Sequence, residues 1–177
     1  MKTFEVPTRE QVSETNQHIF DNLKKGIGMV PNLYATFAHS DNALSSYVTL
    51  QSMKSSLSNK EKEVVNLVVS QINDCIYCLS AHTAIGKMNG FSDEQIIKIR
   101  KVAIDFDAKL QALAQFVKET TIERGHPSQT SVEAFLEAGY TKAQLVDTIV
   151  LIGDKIITNY LHGVTQVPVD FPVAVAI

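Results

Sequence analysis

Apolar residues in this chain recur three and four positions apart, with polar residues between them, along nearly its whole length. "EKEVVNLVVSQI" and "LVDTIVLIGDKII" show the pattern most clearly. That period is the mark of helices packed on one side. Their starts are marked as well. Thr8 with Gln11, Ser58 with Glu61, Ser92 with Gln95 and Thr141 with Gln144 each place a hydroxyl three residues before a Glu or Gln. At this spacing the two side chains satisfy amides that a first helical turn leaves without partners. Leu57, Phe91 and Tyr140 stand directly before three of these caps, fit to act as hydrophobic staples. Gly90 and Gly139 come one residue earlier, where a left-handed residue ends the preceding helix.

Between these signals the spacing predicts helices near 8–25, 41–56, 59–73, 75–89, 92–100, 105–124, 129–138 and 141–163. The expected fold is all-α, a bundle of roughly eight helices. "FEVP" and "VPVDFPV" could pass for strands, but their prolines demote them. "GIGMVPN" and "ERGHPSQ" read as loops, and no low-complexity linker divides the chain. A single domain over 1–177 is therefore expected, with a core at about 41–124 and a C-terminal helix and apolar tail over 141–177. "LSNKEKEVVNLVVSQI" and "YTKAQLVDTIVLIGDKI" share a staple, a capping box and a long apolar stripe, which suggests an internal pseudo-repeat of helical hairpins.

Composition narrows the class. The 177 residues are 45% hydrophobic and 20% charged, ordinary values for a globular chain long enough to bury its own core. The net charge of −3 comes without a basic or acidic block, so no nucleic-acid surface is expected. "MKTFEVPTREQ" lacks the apolar centre of a signal peptide. No apolar run reaches the roughly 18 residues a membrane span requires. A soluble, cytoplasmic protein without a membrane partner is the expectation.

The chemistry gathers in one short stretch. "DCIYCLSAH" holds both cysteines of the chain, Cys75 and Cys78, with His82 one helical turn further on. On a helix the three fall within about 60° of one another. Asn73 or Asp74 is positioned to cap that helix, which would put both thiols in a first turn whose free amides favour a thiolate. Three readings compete. The cysteines can be small buried hydrophobes beside a core histidine. They can be ligands of a structural zinc, but that site generally needs four ligands and no further cysteine exists. His39, His126 and His162 are distant in sequence, and His162 would have to fold against His82. In a reducing compartment, a C-x-x-C pair with a histidine on its face fits redox chemistry best.

"EKEVVNLVVSQINDCIYCLSAHTAIGKMNGFSDEQI" resembles the core of the carboxymuconolactone decarboxylase superfamily, in its AhpD-like alkylhydroperoxidase branch. The branch carries a glutamate twelve residues before a C-x-x-C and a histidine four residues after it, matched here by Glu63, Cys75, Cys78 and His82. "GMVPNLYATFAHSDNAL" and "TNYLHGVTQVPVDFP" are similar to segments of the peroxidase-related members, so the resemblance spans most of the chain. It departs at Tyr77, where some hydroperoxidases carry a second histidine. The resemblance implies an AhpD-like helical bundle with Cys78 as the peroxidatic cysteine and Cys75 as the resolving one. It also implies that Glu63, with His82, helps deprotonate Cys78.

The expected function is thus a thiol-dependent peroxidase using a hydroperoxide substrate, an external thiol reductant and no metal, flavin or haem. A lactone decarboxylase is the rival within enzymes, although decarboxylase members typically lack the C-x-x-C. A non-catalytic redox sensor is the rival outside them. His18, His39 and His126 read as surface or loop residues, and Met29, Tyr34 and Phe37 as core. The apolar circumference of "LVDTIVLIGDKII" and the apolar tail predict a homo-oligomer, a trimer or a hexamer.

Overall fold

The computed structural model describes residues 4–177. Among these residues every regular element is helical. A single 3-10 turn at Arg9–Gln11 precedes α1 (Glu14–Ile27), α2 (Asn32–Phe37), α3 (Ala43–Ser52), α4 (Asn59–Ile72) and α5 (Ile76–Met88). Then follow α6 (Asp93–Arg100), α7 (Ala108–Ile122), α8 (Gln129–Glu137) and α9 (Lys142–Thr165). Backbone contacts group the chain into two compact units. One holds the chain up to Lys54 together with Leu161–Asp170; the other holds Ser55–Tyr160 and Phe171–Ile177.

In the first unit Phe20, Ala35, Ala38 and Leu44 form a small core around α1 to α3. The helix expected over 8–25 is two elements. Val12 is extended, and Ser13 opens α1 by accepting from the Asn16 amide. Helix α2 was not expected: it is only six residues long, begins after Pro31 and has no side-chain cap. His162 lies buried here, its Nε2 3.2 Å from the Val167 carbonyl, and burial pulls its pKa down.

The second unit is built around α4. Val64, Val65, Leu67, Val68 and Val69 are fully buried there, packed with residues of α6, α7 and α8. Three of the four capping boxes form in full, and at Thr8 only the return bond from Gln11 does. Ser58 and Ser92 accept from the amides of Glu61 and Gln95, whose side chains reach back to the caps. Gln11 returns to Thr8 and Gln144 to Thr141, at 2.8 and 2.9 Å. Leu57, Phe91 and Tyr140 are buried as staples. Gly90 and Gly139 both take φ near +90°, as their place after a helix requires.

The tail after Pro168 does not dangle. Phe171 meets the Tyr77 ring edge-on at 5.7 Å, and the Ala174 amide donates to Ser80 Oγ at 3.0 Å. Arg100 donates to the Val175 carbonyl at 2.8 Å. These contacts pin the buried side of α5. No helix among the described residues is long and apolar enough to cross a membrane.

Candidate active site

The turn between α4 and α5 sets the geometry of the two thiols. Asn73 ends α4, and Asp74 takes the left-handed conformation at φ +50°. The Asp74 amide donates to the Gln71 carbonyl at 3.3 Å and the Cys75 amide to the Ser70 carbonyl at 3.0 Å. That pair of bonds is a Schellman closure. Cys75, the second residue past the end of α4, is at once the N-cap of α5. Its Sγ accepts from the Cys78 amide at 3.3 Å. The expected cap at Asn73 or Asp74 is therefore corrected. Both are consumed in closing α4, so the sulfur of Cys75 takes the capping role. Cys78 lies in the first turn, as the spacing predicted, and Cys75 just before it.

Both thiols are free and almost fully enclosed, 2% and 3% exposed. Their acidities are driven apart. A hydrogen bond from Cys75 draws Cys78 down to about 6; burial opposes this, while the charge of Lys155, a hydrogen bond from Asn159 and His82 assist. Cys75, as the donor in that bond and buried beside a thiolate, is pushed far above the usual thiol range.

Glu63 and His82 meet across α4 and α5. His82 Nδ1 is 2.9 Å from Glu63 Oε2, and Asn66 Nδ2 donates to Glu63 Oε1 at 3.0 Å. Glu63 is buried, not the solvated first-turn glutamate that its neighbour Lys62 would suggest. Burial pushes its carboxyl up, but His82, Asn66 and Lys155 together outweigh this and hold it below the usual carboxylate range.

Two further residues join the site from α9. Lys155, 3% exposed, brings Nζ to 3.2 Å from His82 Nε2 and 3.4 Å from Asp154 Oδ2. Asn159, one turn later, donates to Ser70 Oγ at 3.3 Å and accepts from Asn73 Nδ2 at 3.0 Å. Sequence reasoning passed over both. The available signal was Lys155 and Asp154 breaking an otherwise apolar stripe, with Asn159 four residues on from the lysine. His18, His39 and His126 are exposed, as expected. No group of three or more His, Cys, Asp or Glu residues among those described is arranged to hold a metal ion.

The family model described as "Carboxymuconolactone decarboxylase family" matches residues 32–119. The match includes Glu63, Cys75, Cys78 and His82 and stops before Lys155 and Asn159. No curated protein matches the chain. Among solved structures, an uncharacterized peroxidase-related protein from Silicibacter sp. TM1040 is 22% identical with a TM-score of 0.83, covering 94% of this chain and 90% of that one. An uncharacterized peroxidase-related protein from Ralstonia eutropha JMP134, described as an alkylhydroperoxidase AhpD core, is 18% identical with a TM-score of 0.86. There the coverage is 95% of this chain and 92% of that one. The debrominase Bmp8, as a cysteine-to-alanine variant with 2,3,4-tribromopyrrole, is 13% identical with a TM-score of 0.78, over 96% and 93% of the two chains. At these identities the likeness is one of fold.

Proposed function

The chain belongs to the carboxymuconolactone decarboxylase family, and on that premise we propose that it is a thiol-dependent peroxidase cycling between a Cys75–Cys78 dithiol and its disulfide. The observation that carries this reading is the pair of free, enclosed thiols at the start of α5, with the Cys78 amide donating to Cys75 Sγ at 3.3 Å and the pKa of Cys78 drawn down. Thiolate is the nucleophilic form. Cys78 Sγ attacks the terminal oxygen of a hydroperoxide, the O–O bond breaks, and the leaving alkoxide takes a proton to depart as an alcohol. Cys78 is then a sulfenic acid. Cys75 attacks that sulfur, forming the disulfide and releasing water. Two equivalents of an external thiol, or one of a dithiol, reduce the disulfide by exchange and are themselves oxidised. Glu63 and His82, hydrogen-bonded to each other at 2.9 Å, stand on the two helices joined by the thiol turn. The test is steady-state turnover of several hydroperoxides with several thiol reductants. Repeated turnover supports an enzyme, and a single stoichiometric oxidation supports a sensor. Release of carbon dioxide from a carboxylated lactone would move the reading to a decarboxylase, and debromination of 2,3,4-tribromopyrrole to a dehalogenase.

A homo-oligomer, trimer or hexamer, fits the outward side of α9. Val146, Ile149, Val150, Ile157 and Tyr160 are all exposed and fall within an arc of about 100°. Gly153 lies in the same arc, and a methyl group there would meet nothing within 4 Å. A glycine inside a helix costs about 1 kcal/mol relative to alanine. Nothing within this chain calls for it, whereas close approach by a helix of a second copy would. Light scattering gives the answer directly.

A further inference from the structure

His82 has two ring nitrogens, and both are committed. Nδ1 faces Glu63 Oε2 at 2.9 Å, and Nε2 faces Lys155 Nζ at 3.2 Å. A protonated lysine has three donors and no acceptor. If the imidazole were also protonated, two donors and two positive charges would oppose each other at Nε2. Lysine is ordinarily about four pH units more basic than imidazole, so a proton contested by these two nitrogens belongs on Lys155. Nε2 is then an acceptor, and the single ring proton lies on Nδ1, pointing at the Glu63 carboxylate.

We propose that the Lys155 ammonium is the positive partner of the Cys78 thiolate, and that His82 is a neutral positioning residue strung between Lys155 and Glu63. This departs from the division of labour that the resemblance implies, in which His82 and Glu63 act on Cys78 themselves. Burial supports it: an ammonium 3% exposed is costly unless anions compensate it. Anions are at hand on α9, α4 and α5. Asp154 of α9 is 3.4 Å away, Glu63 of α4 lies across the imidazole, and Cys78 of α5 supplies the third when ionised. The charge of Lys155 is also among the influences that draw the pKa of Cys78 down. Asn159, one turn further along α9, hydrogen-bonds Ser70 and Asn73 at the turn that carries the thiols. One face of α9 thus brings both a charge and an amide to the surroundings of the thiol pair.

The proposal rests on the dithiol reading of the site, but its test uses no peroxide. Nitrogen-15 spectra of the reduced full-length protein at neutral pH, with His82 assigned by loss of its signals in His82→Gln, report the tautomer. The expected result is a neutral ring protonated at Nδ1. A doubly protonated ring, or a proton on Nε2, overturns the proposal. The companion measurement is thiolate absorbance against pH, with Cys78→Ser as the blank. Lys155→Met should raise the midpoint from about 6 by about one to three pH units, lowering the thiolate present at neutral pH by roughly tenfold. Lys155→Arg should restore most of it, and His82→Gln should move the midpoint less than Lys155→Met does. An unmoved midpoint in Lys155→Met, or a larger move in His82→Gln, refutes the assignment. Should Lys155→Met fail to fold by circular dichroism, the tautomer measurement decides alone. A protein inert toward hydroperoxides would sink the peroxidase reading without touching either result.

Discussion

Helices α4 and α9 begin alike but divide their apolar residues differently between inside and outside. Each starts with an apolar staple and a hydroxyl cap, Leu57–Ser58 and Tyr140–Thr141, and each continues into a long valine- and isoleucine-rich run. Helix α4 buries that run: Val64, Val65, Leu67, Val68 and Val69 have no exposed surface. Helix α9 buries Ile152 and packs Leu145, Leu151 and Ile156 against the same core. But it also buries Thr148, Asp154, Lys155, Thr158 and Asn159, and it leaves Val146, Ile149, Val150 and Ile157 in the open. The difference lies in what each helix packs against. Helix α4 faces other apolar helices, where burial of each large side chain stabilises the fold by about 1.5–3 kcal/mol. Helix α9 faces that core with Ile152 and also faces His82, Ser70 and Asn73 around the thiol pair, where enclosed polar groups find partners. Its outer apolar residues are left for another surface to cover.

The sharpest way to break this comparison is one charge on each helix. Val68→Asp should unfold the protein or destabilise it by more than about 4 kcal/mol, because an isolated carboxylate cannot be paired in that core. Val150→Asp, at a position 48% exposed, should keep helicity and thermal stability of the single chain while light scattering shows the assembly lost. If Val150→Asp unfolds the chain as Val68→Asp does, α9 is not turned outward as described.

A smaller effect comes from the carboxylate that α4 lends to the site. Glu63→Gln should cost about 1–3 kcal/mol in denaturant unfolding near neutral pH, the loss expected for hydrogen bonds to a charged group. The folded state holds the Glu63 carboxyl below its usual range, so its contribution is present above the unfolded value and lost as pH falls through the lower folded one. The deficit of Glu63→Gln should therefore shrink below about pH 4. A deficit that grows on acidification would reverse the sign and contradict the placement of Glu63 as an ionised partner of His82.

The smallest effect is expected at Gly153. Gly153→Ala should stabilise a monomeric Val150→Asp background by up to about 1 kcal/mol, since alanine favours the helix and meets no atom within 4 Å. In the otherwise unaltered protein the same methyl should weaken assembly. Stabilisation of both forms alike would remove close helix approach from the account of α9.

Local signals were read from sequence with most success. The boxes at Ser58, Ser92 and Thr141 and the left-handed Gly90 and Gly139 lie where their spacing put them, since capping depends on neighbours in the chain. Helix α2 was missed because six residues after a proline hold too little periodicity and no side-chain cap. The cap of α5 was misassigned because Asn73 and Asp74 are good cap residues in isolation. The closure of α4 claims them first, and that competition is visible only in three dimensions. Glu63, Cys75, Cys78 and His82 could be picked out by spacing along the chain. Lys155 and Asn159 lie more than 70 residues beyond them, and only the side of α9 that faces inward brings them to His82 and Ser70. Hydrophobic pattern alone does not orient that helix, because it carries apolar residues on its outer side as well as Ile152, Leu151 and Leu145 toward the core.

The central claim is that Cys78 attacks and Cys75 resolves, and mass spectrometry of the two single serine variants after one equivalent of hydroperoxide tests it most directly. Cys75→Ser should trap a sulfenic acid on Cys78 and stop there, without an intramolecular disulfide. Cys78→Ser should leave Cys75 largely reduced, since burial still holds that thiol above its usual range even without the neighbouring thiolate. Oxidation of Cys75 in Cys78→Ser, together with a reduced Cys78 in Cys75→Ser, would contradict the account and reverse the roles of the two sulfurs.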